Sequence, residues 1–223
     1  MGKIIIQPET PKNPITLIGR QAGVCYGSNT SDDKKNFARG LDCLKSGHGR
    51  TWEFPDIYMV LEGYSARVIR EWYTHIGGMP TRLQASTRYI NYQKGFDYII
   101  PPSVSSNKDA QETYIGAMKD ILNALKTLET MGVPKEDSAN LLPLGMTTTV
   151  VCKHNARNII DMSKNRKCAR AYWEFRNLFK DLEKALSEYS PEWEYIVKNY
   201  FKAKCEITGK CPENNSCGRY PKD

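Results

Sequence analysis

The chain has 223 residues, 40% hydrophobic and 26% charged, a balance that excludes a fibrous or disordered protein and suits one globular unit. Its formal charge of +7 favours anionic partners. The cations are dispersed, however (Lys119, Lys126, Lys180 and Lys184 fall on solvated helix faces), and there is no RNP, zinc-finger or basic-zipper pattern, which argues against nucleic acid.

No apolar run reaches bilayer length, and the opening segment MGKIIIQPETPKNP has neither an apolar core of signal-peptide length nor a cleavage site, so a soluble cytoplasmic protein with no membrane partner is expected. Seven cysteines without a secretory context read as reduced thiols. Cys205, Cys211 and Cys217 recur every six residues, but the spacing is not that of paired zinc knuckles and supplies only three local ligands. A tail from about residue 204, partly ordered and metal-free, is expected.

In chain order, Lys3 to Gln7 reads as a short strand stopped by the prolines from Pro8 to Pro14. A helix near Asn36 to Lys45 carries Phe37, Leu41 and Leu44 on one face and stops at Gly47. The run IYMVLEGY is a strand, and Ser65 caps a helix whose inner stripe is expected to be Ala66, Ile69 and Tyr73, ending at Gly77 and Gly78. RYINYQ and GFDYIIPP suggest extended structure broken at Gly95.

Between Asp109 and Met131, Ala110, Tyr114, Ala117, Ile121 and Leu125 keep helical spacing, widened by Met118, Leu122 and Leu128, which predicts a well-buried helix. LLPLGMTTTVVC is a β-branched strand. Asn155 caps a helix from Ala156 to about Ser163, with Arg166 beyond its end. The next helix carries Ala171, Tyr172, Phe175, Phe179, Leu182 and Leu186, and Ser190-Pro191 starts a last one reaching Phe201. Because helices and strands do not alternate regularly, the expected fold class is α/β of the α+β type: a single domain, 1–223, with a central, mainly antiparallel sheet flanked by helices.

GxxxxGK[ST], GxGxxG, GxSxG and HExxH are all missing, which removes the common phosphate-loop, dinucleotide, hydrolase and zincin readings. Two stretches remain. From Arg70 to Tyr89, Arg70, Arg82, Arg88, His75 and Ser86 gather around a turn that would suit a polyanion. In NARNIIDMSKNRKCARAYWEF, Asn155 and Arg157 open a helix whose N-terminus favours anions. Each alone is compatible with solvated ion pairs.

Together they resemble the flavin-dependent thymidylate synthases, whose fold is that of the thymidylate synthase complementing proteins. THI at Thr74 to Ile76 followed by QASTRY is similar to the family's Arg-His-Arg and Glu-x-Ser-x-Arg-Tyr. LLPLGMTTTVVCKHNARNIIDMSKNR resembles its Leu-Pro strand, Asn-Ala-Arg and later Arg, and GHGRTWEF its Gly-His-x-Thr-Pro-Phe-Glu-His. The resemblance runs from about Ala22 to Tyr200.

The departures are specific. Thr74 and Ile76 replace both triplet arginines, and the spacing from Ile76 to Ser86 is two residues longer than usual. Glu71 stands for a nucleotide-holding Gln, Gln84 for Glu, Phe54 for a flavin-stacking His and Ala139 for a phosphate-binding Arg. Arg82 and Lys94 lie where they could replace the missing charge.

The resemblance implies a methyltransferase that converts dUMP to dTMP with FAD, and with NADPH and methylenetetrahydrofolate as co-substrates. It implies a homotetramer whose sites are shared between subunits. By the same resemblance dUMP would meet Glu71, Gln84, Ser86, Thr87, Arg88 and Arg166, with Arg166 catalytic through charge stabilisation on the uracil. FAD would meet Thr74, His75, Ile76, Asn155, Arg157 and Asp161, and no metal is implied. The departures leave two alternatives: the same chemistry on another pyrimidine nucleotide, such as hydroxymethylation, or a non-catalytic binding relative.

Overall fold

The computed structural model describes residues 2–222. Its centre is a four-stranded antiparallel sheet in the order β1-β2-β4-β3, formed by β1 (Lys3–Ile6), β2 (Asp56–Ser65), β3 (Thr81–Gln84) and β4 (Thr147–Asn155). Alternation explains its inner face. Ile57, Met59 and Leu61 of β2 are fully buried, and the register sets them opposite His154, Cys152 and Val150 of β4, so buried cross-strand pairs line one side of the sheet. A bulge between Glu62 and Tyr64, at Gly63 with φ of 72°, turns the end of β2 toward the next helix.

The helices are α1 (Pro14–Cys25), α2 (Asp33–Lys45), α3 (Ala66–Trp72), α4 (Pro102–Ser105), α5 (Lys108–Thr130), α6 (Lys135–Ser138), α7 (Ala156–Arg166), α8 (Trp173–Tyr189), α9 (Pro191–Tyr200) and α10 (Lys204–Thr208). One apolar cluster joins the sheet's inner face to α1, α2, α3, α7, α8 and α9; Trp72, Phe175, Phe179 and Trp193 are its largest buried side chains. No helix among the described residues is long and apolar enough to cross a membrane.

Several expectations need correction. Helix α1 is not among the elements expected from the sequence. It crosses α2 so closely that a Cβ on Gly40 would strike the carbonyl of Ile15. The inner stripe of α3 is Val68, Ile69 and Trp72, while Ala66 and Tyr73 are only half-buried. Helix α5 buries only Met118 and Leu125, because it stands outside the main apolar cluster and packs mainly on α4, α6 and the turn Tyr92–Lys94. The stretch from Arg88 to Pro102 contains that turn and an isolated bridge from Tyr98 to Met146; the fourth strand is instead Thr81–Gln84.

Strand β4 begins only at Thr147 and runs to Asn155, and α7 continues to Arg166, which therefore sits on its last turn. Ala171 and Tyr172 precede α8. In the tail, α10 and the buried Cys211, which bridges to Lys222, give the segment its own structure. Arg219 ties it to Glu206, and Arg170 donates to the carbonyl of Asn215.

Candidate functional site

The site forms where the C-terminal end of α3 and the start of α7 meet. Strand β4 runs directly into α7, and Asn155 marks the junction: its side-chain oxygen accepts from the amide of Asn158 at 2.8 Å, capping the helix. From the neighbouring β3, Arg82 reaches back to the carbonyls of Trp72 and Tyr73 at 3.4 and 3.0 Å and lies 4.5 Å over the Tyr73 ring. It thereby satisfies the Tyr73 carbonyl at the end of α3 and adds a second donor to that of Trp72, which already accepts from the His75 amide. The turn after α3 presses on Asn155: Gly78 has φ of 72°, and a Cβ there would collide with the Asn155 carboxamide. Only glycine serves at that contact.

The result is a cleft of about 490 Å³ lined by Thr74, His75, Ile76, Asn155, Arg157 and Asp161, together with further residues. All six residues expected on the flavin side thus come together, although 79 or more positions separate the two segments. Sequence reasoning missed Glu53, Asn158, Met162 and Asn165, which also line the cleft. The last three continue the face of α7 that begins at Asn155, so helical spacing from the cap was the available signal.

Arg157 donates to Glu53 at 2.7 Å, and its Nε lies 3.9 Å from Asp161, which also pairs with Lys164 at 2.7 Å. The cations of the cleft therefore arrive already balanced. Ile76 is 70% exposed and supplies apolar surface at the rim. An apolar edge and an arginine in the first turn of an 11-residue helix suit a flat, anionic cofactor, while Asn155 and the Pro55 carbonyl already occupy two of the helix's first amides.

Beside the cleft, Arg166 is held on two edges. Its Nε donates to His75 Nε2 at 2.9 Å, its Nη1 donates to Glu71 Oε2 at 2.8 Å, and its guanidinium lies 4.5 Å over the Phe175 ring. Burial, with the charges of Arg166 and Arg82 adding to it, pushes the pKa of His75 down to about 4. His75 is therefore neutral at pH 7, as an acceptor at Nε2 requires.

The remaining nucleotide-side residues stand apart. Gln84 donates to Thr148 Oγ1 at 3.3 Å, Ser86 Oγ accepts from the amide of Arg88 at 3.2 Å, and Arg88 Nε pairs with Glu136 at 3.0 Å. Thr87 borders a small void with Ala139, and none of these residues lines the cleft. Arg70, Arg82 and Arg88 do not converge on one anion site either: Arg82 is engaged at the end of α3 and Arg88 on α6. Lys94 is exposed in the turn after β3, and Phe54 is exposed beside Glu53. Among the described residues no cluster of histidine, cysteine or acidic side chains is arranged to hold a metal ion.

A family model described as thymidylate synthase complementing protein matches residues 8–192. The chain belongs to that family. It is similar to the flavin-dependent thymidylate synthase of Geobacter sulfurreducens, at 27% identity covering 97% of this chain and 94% of that protein. It is also similar to that of Sulfurisphaera tokodaii, at 33% identity covering 78% and 67% respectively. Among solved structures, a flavin-dependent thymidylate synthase of Helicobacter pylori complexed with FAD and dUMP superposes with a TM-score of 0.70 at 17% identity, covering 90% of this chain and all of that one. That likeness supports the shared family fold; the matched segment ends before the tail that carries α10.

Proposed function

We propose that this thymidylate synthase complementing protein is a flavin-dependent thymidylate synthase, carrying out the reductive methylation of dUMP to dTMP. The observation that carries the reading is the convergence of Thr74, His75, Ile76, Asn155, Arg157 and Asp161 in one cleft, whose His75 bonds Arg166. Named relatives of this activity cover nearly the whole chain, and NADPH and methylenetetrahydrofolate are the co-substrates this reading requires. FAD, when bound, supplies the hydride chemistry.

The chain's own part is positioning and electrostatics. Arg157 and the start of α7 hold anionic cofactor groups, and Thr74 to Ile76 border the ring. Arg166 stabilises the negative charge that develops on the uracil as C5 becomes nucleophilic. Ser86, Thr87, Arg88 and Gln84 bind nucleotide from the exposed edge of the sheet, serving a neighbouring subunit of a homotetramer. Their absence from their own chain's cleft supports that sharing. We read the chain as one catalytic domain with an appended tail, acting in the cytoplasm, where its seven free thiols stay reduced.

The test combines a visible spectrum of the purified protein with tritium release from C5-labelled dUMP in the presence of NADPH and the folate donor. Flavin bands with tritium release support the proposal, and Arg166→Ala should abolish most of the release. A flavin-loaded protein that releases no tritium from dUMP would favour the same chemistry on another pyrimidine nucleotide, such as hydroxymethylation. The observation behind that second reading is Ala139 in place of a phosphate-binding arginine, with Arg88 neutralised by Glu136. A colourless protein that takes up no FAD would favour a non-catalytic binding relative.

A further inference from the structure

Resting on the flavin-enzyme reading, we propose that His75 is a positioning residue for Arg166, acting through Nε2 to hold the guanidinium so that its Nη2 faces the nucleotide. Three restraints define the pose. Nε is engaged by His75 at 2.9 Å, Nη1 by Glu71 at 2.8 Å, and the planar face by Phe175 at 4.5 Å. Nη2 has no hydrogen-bond partner among the described residues, so its two N–H groups, with the second N–H of Nη1, are the donors left for a substrate. A guanidinium is planar, so fixing two of its edges fixes the direction of the third.

His75 is itself rigidly placed. Its ring meets Phe175 edge-on at 5.9 Å, Phe175 stacks on Trp72 at 5.9 Å, and Trp72 Nε1 donates to His154 at 3.0 Å. Its backbone amide bonds to the carbonyl of Trp72 at 3.2 Å, while Arg82 clamps the same end of α3. An acceptor at Nε2 means that the neutral ring carries its proton on Nδ1, and Nδ1 has no partner among the described residues.

Substitutions that mimic one ring nitrogen at a time provide the test. His75→Gln places an amide oxygen near the position of Nε2, whereas His75→Asn reproduces only the region of Nδ1. At saturating FAD, tritium release from dUMP should fall roughly tenfold to a hundredfold in His75→Ala, the range expected for losing a hydrogen bond to a charged group. His75→Gln should recover most of the loss and His75→Asn little of it. Rescue by Asn but not Gln would instead assign the role to Nδ1, and wild-type rates in all three variants would likewise overturn the proposal.

A readout independent of turnover comes from nitrogen-resolved NMR of the three histidine rings. His75 should show the Nδ1–H tautomer in the wild type and shift toward Nε2–H in Arg166→Ala. An unchanged tautomer refutes the clamp. A wild type that binds no FAD and converts no dUMP would refute the enzyme reading, while the NMR result would still decide the clamp.

Discussion

At His154 the chain buries a titratable ring completely. Its Nε2 accepts from Trp72, and its Nδ1 lies 2.6 Å from Asn158 Oδ1, so the ring is neutral with its proton on Nδ1. Burial lowers its pKa to about 4, the charge of Arg82 and that of His75 once it is protonated push the same way, and the Asn158 bond opposes them. The folded value lies below the unfolded value near 6.5, so the unfolded chain takes up the proton first. Stability from this group is therefore complete above about pH 6.5 and is lost as pH falls toward 4, at most at about 1.4 kcal/mol per pH unit. Urea midpoints measured between pH 7 and pH 4.5 should fall, and His154→Gln should flatten the slope. An equal slope in that variant would show that other groups carry the effect.

Other residues divide by whether their partner is local. The Ser65 and Asn155 caps are legible in sequence because a cap acts three residues along. Glu174 was legible only as a surface charge, yet it is 4% exposed and accepts from both the amide and the hydroxyl of Ser65, 109 positions away. Nothing in its neighbourhood announces such a partner. Its removal would leave both donors of Ser65 unpaired.

At the scale of elements, α1 shows why a helix can be missed. Its N-cap residue, Asn13, makes no side-chain cap, and Pro14 follows prolines that read as a breaker. The cap comes from Glu192, at the start of α9, which accepts from the amides of Ile15 and Thr16 at 2.7 and 3.0 Å and from the Thr16 hydroxyl at 2.7 Å. Glu192→Ala should cost about 1–3 kcal/mol, because it strands helix-end donors. Thermal unfolding would register this as a lower Tm; an unchanged Tm would mean that water replaces the carboxylate without loss. Helix α5 fails in the opposite direction. Its periodicity is genuine, but periodicity reports that a face is apolar and not what covers it.

At the scale of the molecule, the two halves of the Arg70 to Tyr89 stretch point to different places. Thr74 to Ile76 enter the chain's own cleft, while Gln84 ends an edge strand on which Leu83 is 70% exposed, and Ser86 to Arg88 lie in the loop and turn after it. If sites are completed between subunits, Arg88→Ala and Arg166→Ala variants should each be nearly inactive alone. Co-assembled after mild dissociation, they should regain activity, because some sites then combine two intact halves. Continued inactivity in verified mixed oligomers would place both arginines in sites built from one chain.

Local periodicity, caps and ordered motifs were enough to read off the family, an antiparallel sheet with flanking helices, and six residues that meet in one cleft. Only the tertiary structure decided that α1 is capped by Glu192, that α5 lies outside the main core, and that His75 and Glu71 grip Arg166 from 91 and 95 positions away. The physical reason is common to all three. A hydrogen bond or a buried face needs a partner at a few ångströms, and where the chain brings that partner from a distant segment, no spacing in the sequence records it.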